Sequence, residues 1–114
     1  MRDSSHDLLF EPVDIGPVQA RNRFYQVPHC TGMGWLRPKM VAALRGMKAE
    51  GGWAVVCTEW CSIHPCSDDL PYPNAALWHD DHIKDHALMT QAVHDHGALA
   101  GVELWFGGAR SANH

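Results

Sequence analysis

Apolar and polar positions alternate over residues 8–20, where Leu9, Phe10, Pro12, Val13 and Ile15 lead into Gly16-Pro17 and Val18. Gly-Pro is a turn signal, so the pattern predicts two short extended pieces joined as a hairpin. Polar Arg21-Asn22-Arg23 then opens a short run, residues 23–28, that predicts a buried strand ending in a turn at Pro28. Met40, Val41, Leu44 and Met47 recur at helical spacing. They predict a helix over 38–50, with Pro38 in its first turn and Gly51-Gly52 at its end. Trp53-Ala54-Val55-Val56-Cys57-Thr58 is a continuous apolar run, the mark of a strand covered on both faces. A long polar loop carrying Pro65, Pro71 and Pro73 is expected after it. A second helix is predicted over 80–96, capped by Asp80 or Asp81, with Ile83, Ala87, Met89 or Thr90, and Val93 on its inner face. Gly97 ends it, and residues 98–105 read as a third buried strand.

Hairpin, β, α, β, α, β is an α/β order, and buried strands separated by helices imply parallel pairing with right-handed crossovers. No glycine-rich phosphate fingerprint follows the first strand, so a dinucleotide fold is disfavoured. A (β/α)₈ TIM barrel, its bottom plugged by the hairpin, fits better. Such a barrel needs ~250 residues, and this chain has 114. Residues 1–114 are therefore expected to be a truncated N-terminal portion of a barrel rather than a complete domain. Gly107-Gly108-Ala109-Arg110 leaves the chain in a loop directly after a strand. Alone, such a piece is expected neither to fold well nor to turn over.

Composition narrows the function classes. The chain is 46% hydrophobic and 19% charged, with a formal net charge of -4. Without a basic stripe, a nucleic-acid groove is excluded. No stretch approaches the ~20 apolar residues of a membrane span. The polar N-terminus lacks the apolar centre of a signal peptide, which points to the cytoplasm. There, the four cysteines are expected to be free, catalytic or metal-bound rather than disulfide-linked.

Cys30 is the first candidate for chemistry. It stands at the C-terminal mouth of a predicted parallel strand, where α/β proteins place their sites. Gly32 and Gly34 beside it let a flat ligand approach the backbone. The bland alternative is a small buried hydrophobe. His29 is adjacent, but neighbouring side chains on a strand point to opposite faces. Trp60 is equally a core residue or an aromatic face for a ligand. Trp53 reads as core, and Trp105 as facing either the site or the barrel wall. Glu103 lies inside an apolar strand and needs a partner, either a ligand donor or Arg110 or Arg23. Cys57, Cys61, His64 and Cys66 lack the tight paired hooks of structural zinc sites, so no metal is assigned to them. His82 and His86 share a helix face that reads as solvated.

Several words of the chain, taken together, resemble a known family. They are Phe10-Glu11-Pro12-Val13-Asp14-Ile15-Gly16-Pro17, Arg21-Asn22-Arg23-Phe24, Gln26-Val27-Pro28-His29-Cys30, Lys48-Ala49-Glu50-Gly51-Gly52-Trp53, Thr58-Glu59-Trp60-Cys61-Ser62-Ile63, Ser67-Asp68-Asp69, and the run from Gly97 to Trp105. The family is that of the old yellow enzymes, NADH:flavin oxidoreductases on a (β/α)₈ barrel, and within it the trimethylamine and dimethylamine dehydrogenase branch. The resemblance implies an FMN cofactor bonded through its carbon 6 to Cys30, with Pro28 and His29 presenting backbone to the ring. It puts Trp60 at the flavin edge and substrate cation, and Glu103 at the flavin pyrimidine. It implies oxidative N-demethylation of a small methylated amine by hydride transfer to flavin. A 4Fe-4S cluster is implied only downstream of this chain, together with an electron-acceptor protein and a homo-oligomeric full-length enzyme. One departure is visible: the trimethylamine enzyme has Tyr where this chain has Trp60, which leaves the amine open. The competing expectations are an enoate-reductase-type NADH:flavin oxidoreductase with non-covalent FMN, and a non-catalytic module held by a metal at the Cys57–Cys66 cluster.

Overall fold

The computed structural model describes residues 3–67 and 74–108. Asp68, Asp69, Pro71, Pro73 and Arg110, used above, lie outside them. A 3-10 turn, Ser4–Phe10, precedes the hairpin of β1 (Val13–Ile15) and β2 (Val18–Ala20). The hairpin pairs antiparallel with Ile15 opposite Val18, as the Gly16-Pro17 signal requires. Leu9 and Phe10 belong to the 3-10 turn instead of extending the first strand, because Asp3 caps that turn by accepting from the Ser5 N–H.

The remaining order is β3 (Tyr25–Gln26), α1 (Pro38–Glu50), β4 (Val55–Ser62), α2 (Ile83–His94) and β5 (Leu99–Trp105). β3, β4 and β5 form one sheet in that order, with both pairings parallel. The two helices join successive parallel strands and pack on each other. Gly46 of α1 makes their close crossing possible, since a Cβ there would lie 3.3 Å from both the Cβ and the carbonyl oxygen of Ala92.

Strand alternation divides the core in two. Val56 points to the helices and packs with Val41, Ala42, Ala49, Met89, Val93 and Ala98. Val55 and Cys57 point the other way and pack with Ala20 and Ala54, so the hairpin covers the lower end of the opposite sheet face. That is the plug the sequence predicts. Arg21 ties it down, donating to the carbonyls of His96 (2.7 Å), Ala49 (2.8 Å) and Trp53 (3.1 Å). These carbonyls lie in or beside the ends of α2 and α1 and ahead of β4, where helix geometry leaves acceptors unpaired.

Several expectations need correction. The strand over 23–28 is only two residues long, and Tyr25 and Val27 are exposed, because β3 pairs with β4 on one edge alone among the described residues. β4 starts two residues later than the run over 53–58 and continues to Ser62, through residues assigned to a polar loop. Thr58, Glu59 and Ser62 are polar yet buried there. Trp53 is not core. It is 37% exposed and packs edge-on against Phe24, while Ala54 takes the buried position. On the second helix, His79 rather than Asp80 or Asp81 caps the opening 3-10 turn by accepting from the Asp81 N–H. The inner face is Met89 and Val93, while Ile83 is 56% exposed and Ala87 is exposed. His82 and His86 are half-buried, not solvated. β5 is half-exposed rather than buried.

Candidate functional site

The residues around Cys30 meet at the C-terminal ends of the three parallel strands. Beyond β3, the His29 N–H donates to the Thr58 carbonyl at 3.3 Å and keeps the chain on β4. Cys30 is exposed, so the reading of it as a buried hydrophobe is set aside. Desolvation raises its thiol pKa most. The Trp60 backbone N–H opposes that by hydrogen-bonding the sulfur, Glu59 and Glu103 add to the rise, and Arg45 lowers it. The sulfur therefore sits at the Trp60 backbone, within the fields of two carboxylates and one guanidinium.

Two of those charges were not singled out from sequence. Glu59 is 0% exposed, and its carboxylate accepts the backbone N–H groups of Thr31, Gly32 (2.8 Å) and Gly34 (2.7 Å). Hydrogen bonds to an ionised acceptor are among the stronger ones a fold can make. Gly34 is required there: a Cβ would lie 2.9 Å from both Glu59 Oε1 and the Ala75 Cβ and would also strike the Asn74 carbonyl. Arg45 is also 0% exposed. It donates to the His29 carbonyl and, at 3.3 Å, to Gln26 Oε1. The available signal was position. Arg45 falls with Ala42, Gly46 and Ala49 on one helical face, and Glu59 lies among apolar strand residues. A charge in such a place is seldom buried without a partner.

The pairing of β4 with β5 explains how Glu59 reaches the 31–34 loop. Cys57 pairs with Gly101 but Trp60 pairs with Glu103, so β4 carries one extra residue over that interval. Such a bulge re-aims the side chains beside it. Consecutive Thr58 and Glu59 consequently line one small cavity with Gly34, Trp35, Ala75 and His86.

Past the bulge, Trp60 and Glu103 are register partners. Trp60 is half-buried, and its ring centroid lies 4.5 Å from that of Trp105, with the planes tilted by 58°. Among the described residues, the indole N–H groups of Trp60 and Trp105 are buried and meet no acceptor, and neither does the Thr31 hydroxyl. Glu103 is exposed. Arg23, one of its two anticipated partners, directs its Nε to the Leu8 carbonyl. Cys30, Trp60 and Glu103 are thus brought together. Pro28 and exposed His29 flank them along the chain, with both backbone polar groups of His29 occupied by Thr58 and Arg45.

The second cysteine group is not one site. Cys57 is buried and donates to Tyr25 Oη at 3.3 Å, and Cys61 is buried against the Thr58 hydroxyl and the Glu59 carbonyl. Cys66 is exposed, and its backbone N–H donates to His64 Nδ1. Among the described residues no three His, Cys, Asp or Glu side chains are grouped to hold a metal ion. His82 instead packs against Trp35 and Trp78, accepting the Trp78 backbone N–H at Nδ1, and its pKa is lowered by desolvation first. His86 Nε2 pairs with the Ala76 carbonyl at 2.8 Å. Among the described residues, no helix is long and apolar enough to cross a membrane.

This arrangement has close counterparts. The chain is 50% identical over 107 residues to the dimethylamine dehydrogenase of Hyphomicrobium sp. (strain x), covering 94% of this chain and 14% of that protein. It matches the structure of histamine dehydrogenase from Rhizobium sp. 4-9 at 48% identity and a TM-score of 0.92, over 98% of this chain and 17% of the other. A 6-hydroxypseudooxynicotine amine oxidase from Pseudomonas geniculata N1 matches at 51% identity and a TM-score of 0.87, over 97% and 17%. The chain thus spans about one-sixth of the length of these relatives. Its strand–helix order is that of the N-terminal part of their (β/α)₈ barrel, with no closed barrel among the described residues. The NADH:flavin oxidoreductase / NADH oxidase family matches residues 8–114, and the chain belongs to that family, among its amine dehydrogenase relatives.

Proposed function

We propose that the gene product carrying this sequence is an FMN-dependent amine dehydrogenase, and that residues 1–114 supply the first wall of its flavin site. The observation that carries this reading is the meeting of Cys30, Trp60 and Glu103 at one end of the sheet. The 50% identity to a dimethylamine dehydrogenase supports a small methylated amine as substrate.

The chemistry of the side chains fits a flavin. Trp60 and Trp105 hold buried N–H donors with no acceptor among the described residues, a need that a ring rich in carbonyl and imine acceptors would answer. The exposed Glu103 carboxylate is an acceptor suited to a ring imide N–H. The exposed sulfur of Cys30 is suited to attachment at the ring edge. Attachment there would replace the S–H of Cys30 and one ring C–H by a single S–C bond, with the two protons and two electrons passing to dioxygen.

When bound, FMN supplies acceptance of a hydride equivalent from the amine, after which water cleaves the resulting imine to an aldehyde and a smaller amine. The chain's own contribution is binding and positioning. The indole face of Trp60 attracts an alkylammonium by its quadrupole and removes water from one side of it. Glu103 and Cys30 would hold the ring beside that face. An iron–sulfur cluster and an acceptor protein for the electrons belong to this proposal, outside these residues.

A single titration tests the proposal. The purified full-length gene product should contain FMN, and its flavin absorbance should bleach anaerobically on adding dimethylamine or trimethylamine. Bleaching by NADH with no response to any amine would replace this reading with an enoate-reductase type. The chain also resembles an NADPH dehydrogenase of Halalkalibacterium halodurans, 26% identical over 108 residues, covering 90% of this chain and 31% of that protein.

A further inference from the structure

We infer that Glu59 and Arg45 are positioning residues that fix the Cys30 sulfur for its bond to the flavin; this rests on the covalent reading above. The backbone immediately before Cys30 is held by Arg45, through the His29 carbonyl, and the backbone immediately after it by Glu59, through the amides of Thr31, Gly32 and Gly34. Both side chains are 0% exposed and come from different elements, α1 and β4. The thiol is therefore suspended between two buried, opposite charges, each anchored in the packed core. Gln26 adds a second acceptor for Arg45, and the bulge in β4 aims Glu59 at the loop.

Placement matters because attachment needs the sulfur within bonding approach of one ring carbon, and a misplacement near 1 Å can cost ~100-fold in rate. Neither residue touches the flavin atoms in this account. Glu59 holds three donors that would otherwise be free to swing the 31–34 loop, and Arg45 holds the acceptor on the other side. A neutral amide at position 59 has one oxygen and turns an NH₂ group toward backbone donors, so it cannot hold all three.

The test uses the full-length gene product and reads the fraction of flavin that stays with the polypeptide after acid precipitation, beside total FMN content before it. Wild type should retain its flavin, and Cys30→Ala should bind FMN but release all of it. Glu59→Gln and Arg45→Lys should each bind FMN stoichiometrically and attach it ~100-fold more slowly than wild type when the flavin-free protein is reloaded. Attachment at the wild-type rate in both variants overturns the clamp while leaving the covalent bond intact. Loss of all FMN binding in both also overturns it, because a clamp on the thiol alone leaves the other flavin contacts in place. Release of all flavin by wild type removes the covalent reading itself, and the clamp with it.

Discussion

Trp60 faces Glu103 across the β4–β5 ladder, one step beyond a bulge that adds a residue to β4. The same bulge separates Cys57, packed toward the hairpin, from Glu59, turned to the loop after Cys30. One local irregularity thus sets both the aromatic face of the site and the anchor of its thiol loop.

The aromatic face has a measurable consequence. A cation on an indole gains about 0.5–2 kcal/mol, or roughly 2- to 30-fold in affinity. Trp60→Ala should raise KM for a methylated amine by a factor in that range, and Trp60→Phe should recover part of it. Steady-state kinetics on the full-length gene product checks this, and an unchanged KM in Trp60→Ala removes the residue from the substrate site.

Thiol labelling should separate the four cysteines. Cys61 is fully buried, and burial pushes its pKa up to about 11 from 9.0. Cys57 is raised as well, by desolvation first. Brief alkylation of the native protein at neutral pH should mark exposed Cys66, mark Cys30 only where it carries no flavin, and spare Cys57 and Cys61. Peptide mass mapping reads the result.

The raised Cys61 pKa also predicts an alkaline limit to stability. The folded state binds this proton more tightly than the unfolded state, so the contribution is fully present below pH 9.0 and is lost as pH rises through about 11. Cys61→Ala should flatten that part of a stability-versus-pH curve measured by thermal melting.

Much of the scaffold was legible in the chain because periodicity and punctuation agreed. The Pro38 start and glycine end gave α1 its observed bounds, Pro38–Glu50, and Gly16-Pro17 placed the hairpin turn. The end of β4 was not legible. Thr58, Glu59 and Ser62 look like loop residues; Thr58 bonds locally to the Glu59 carbonyl, but the partners of Glu59 and Ser62 come from distant segments, the 31–34 amides and the Ala75–Leu77 return. Of the candidate site, Cys30, Trp60 and Glu103 are proposed from position and motif, and the fold brings them together. Arg45 and Glu59 could not, since a strand bulge and a helix face contribute to one network only once the chain is folded. The half-burial of His82 and His86 is illegible in the sequence for a similar reason: Trp35, Trp78 and Ala76 cover them from outside α2.

Packing predictions follow from the hairpin latch and the helix layer. Arg21→Ala leaves three backbone carbonyls without their charged donor and should cost about 1–3 kcal/mol. Met89→Ala empties a position that is 1% exposed and should cost about 2–5 kcal/mol. Urea unfolding of the full-length gene product, followed at the barrel's transition, distinguishes these from surface controls such as Lys39→Ala.

The most direct check on the whole account is the mass of the proteolytic peptide that contains Cys30, taken from the flavin-loaded protein. We expect it to carry FMN less two hydrogens, with the added mass on Cys30 and none on Cys57, Cys61 or Cys66. An unmodified Cys30 peptide, with all flavin recovered free, would contradict the placement of that sulfur against the ring.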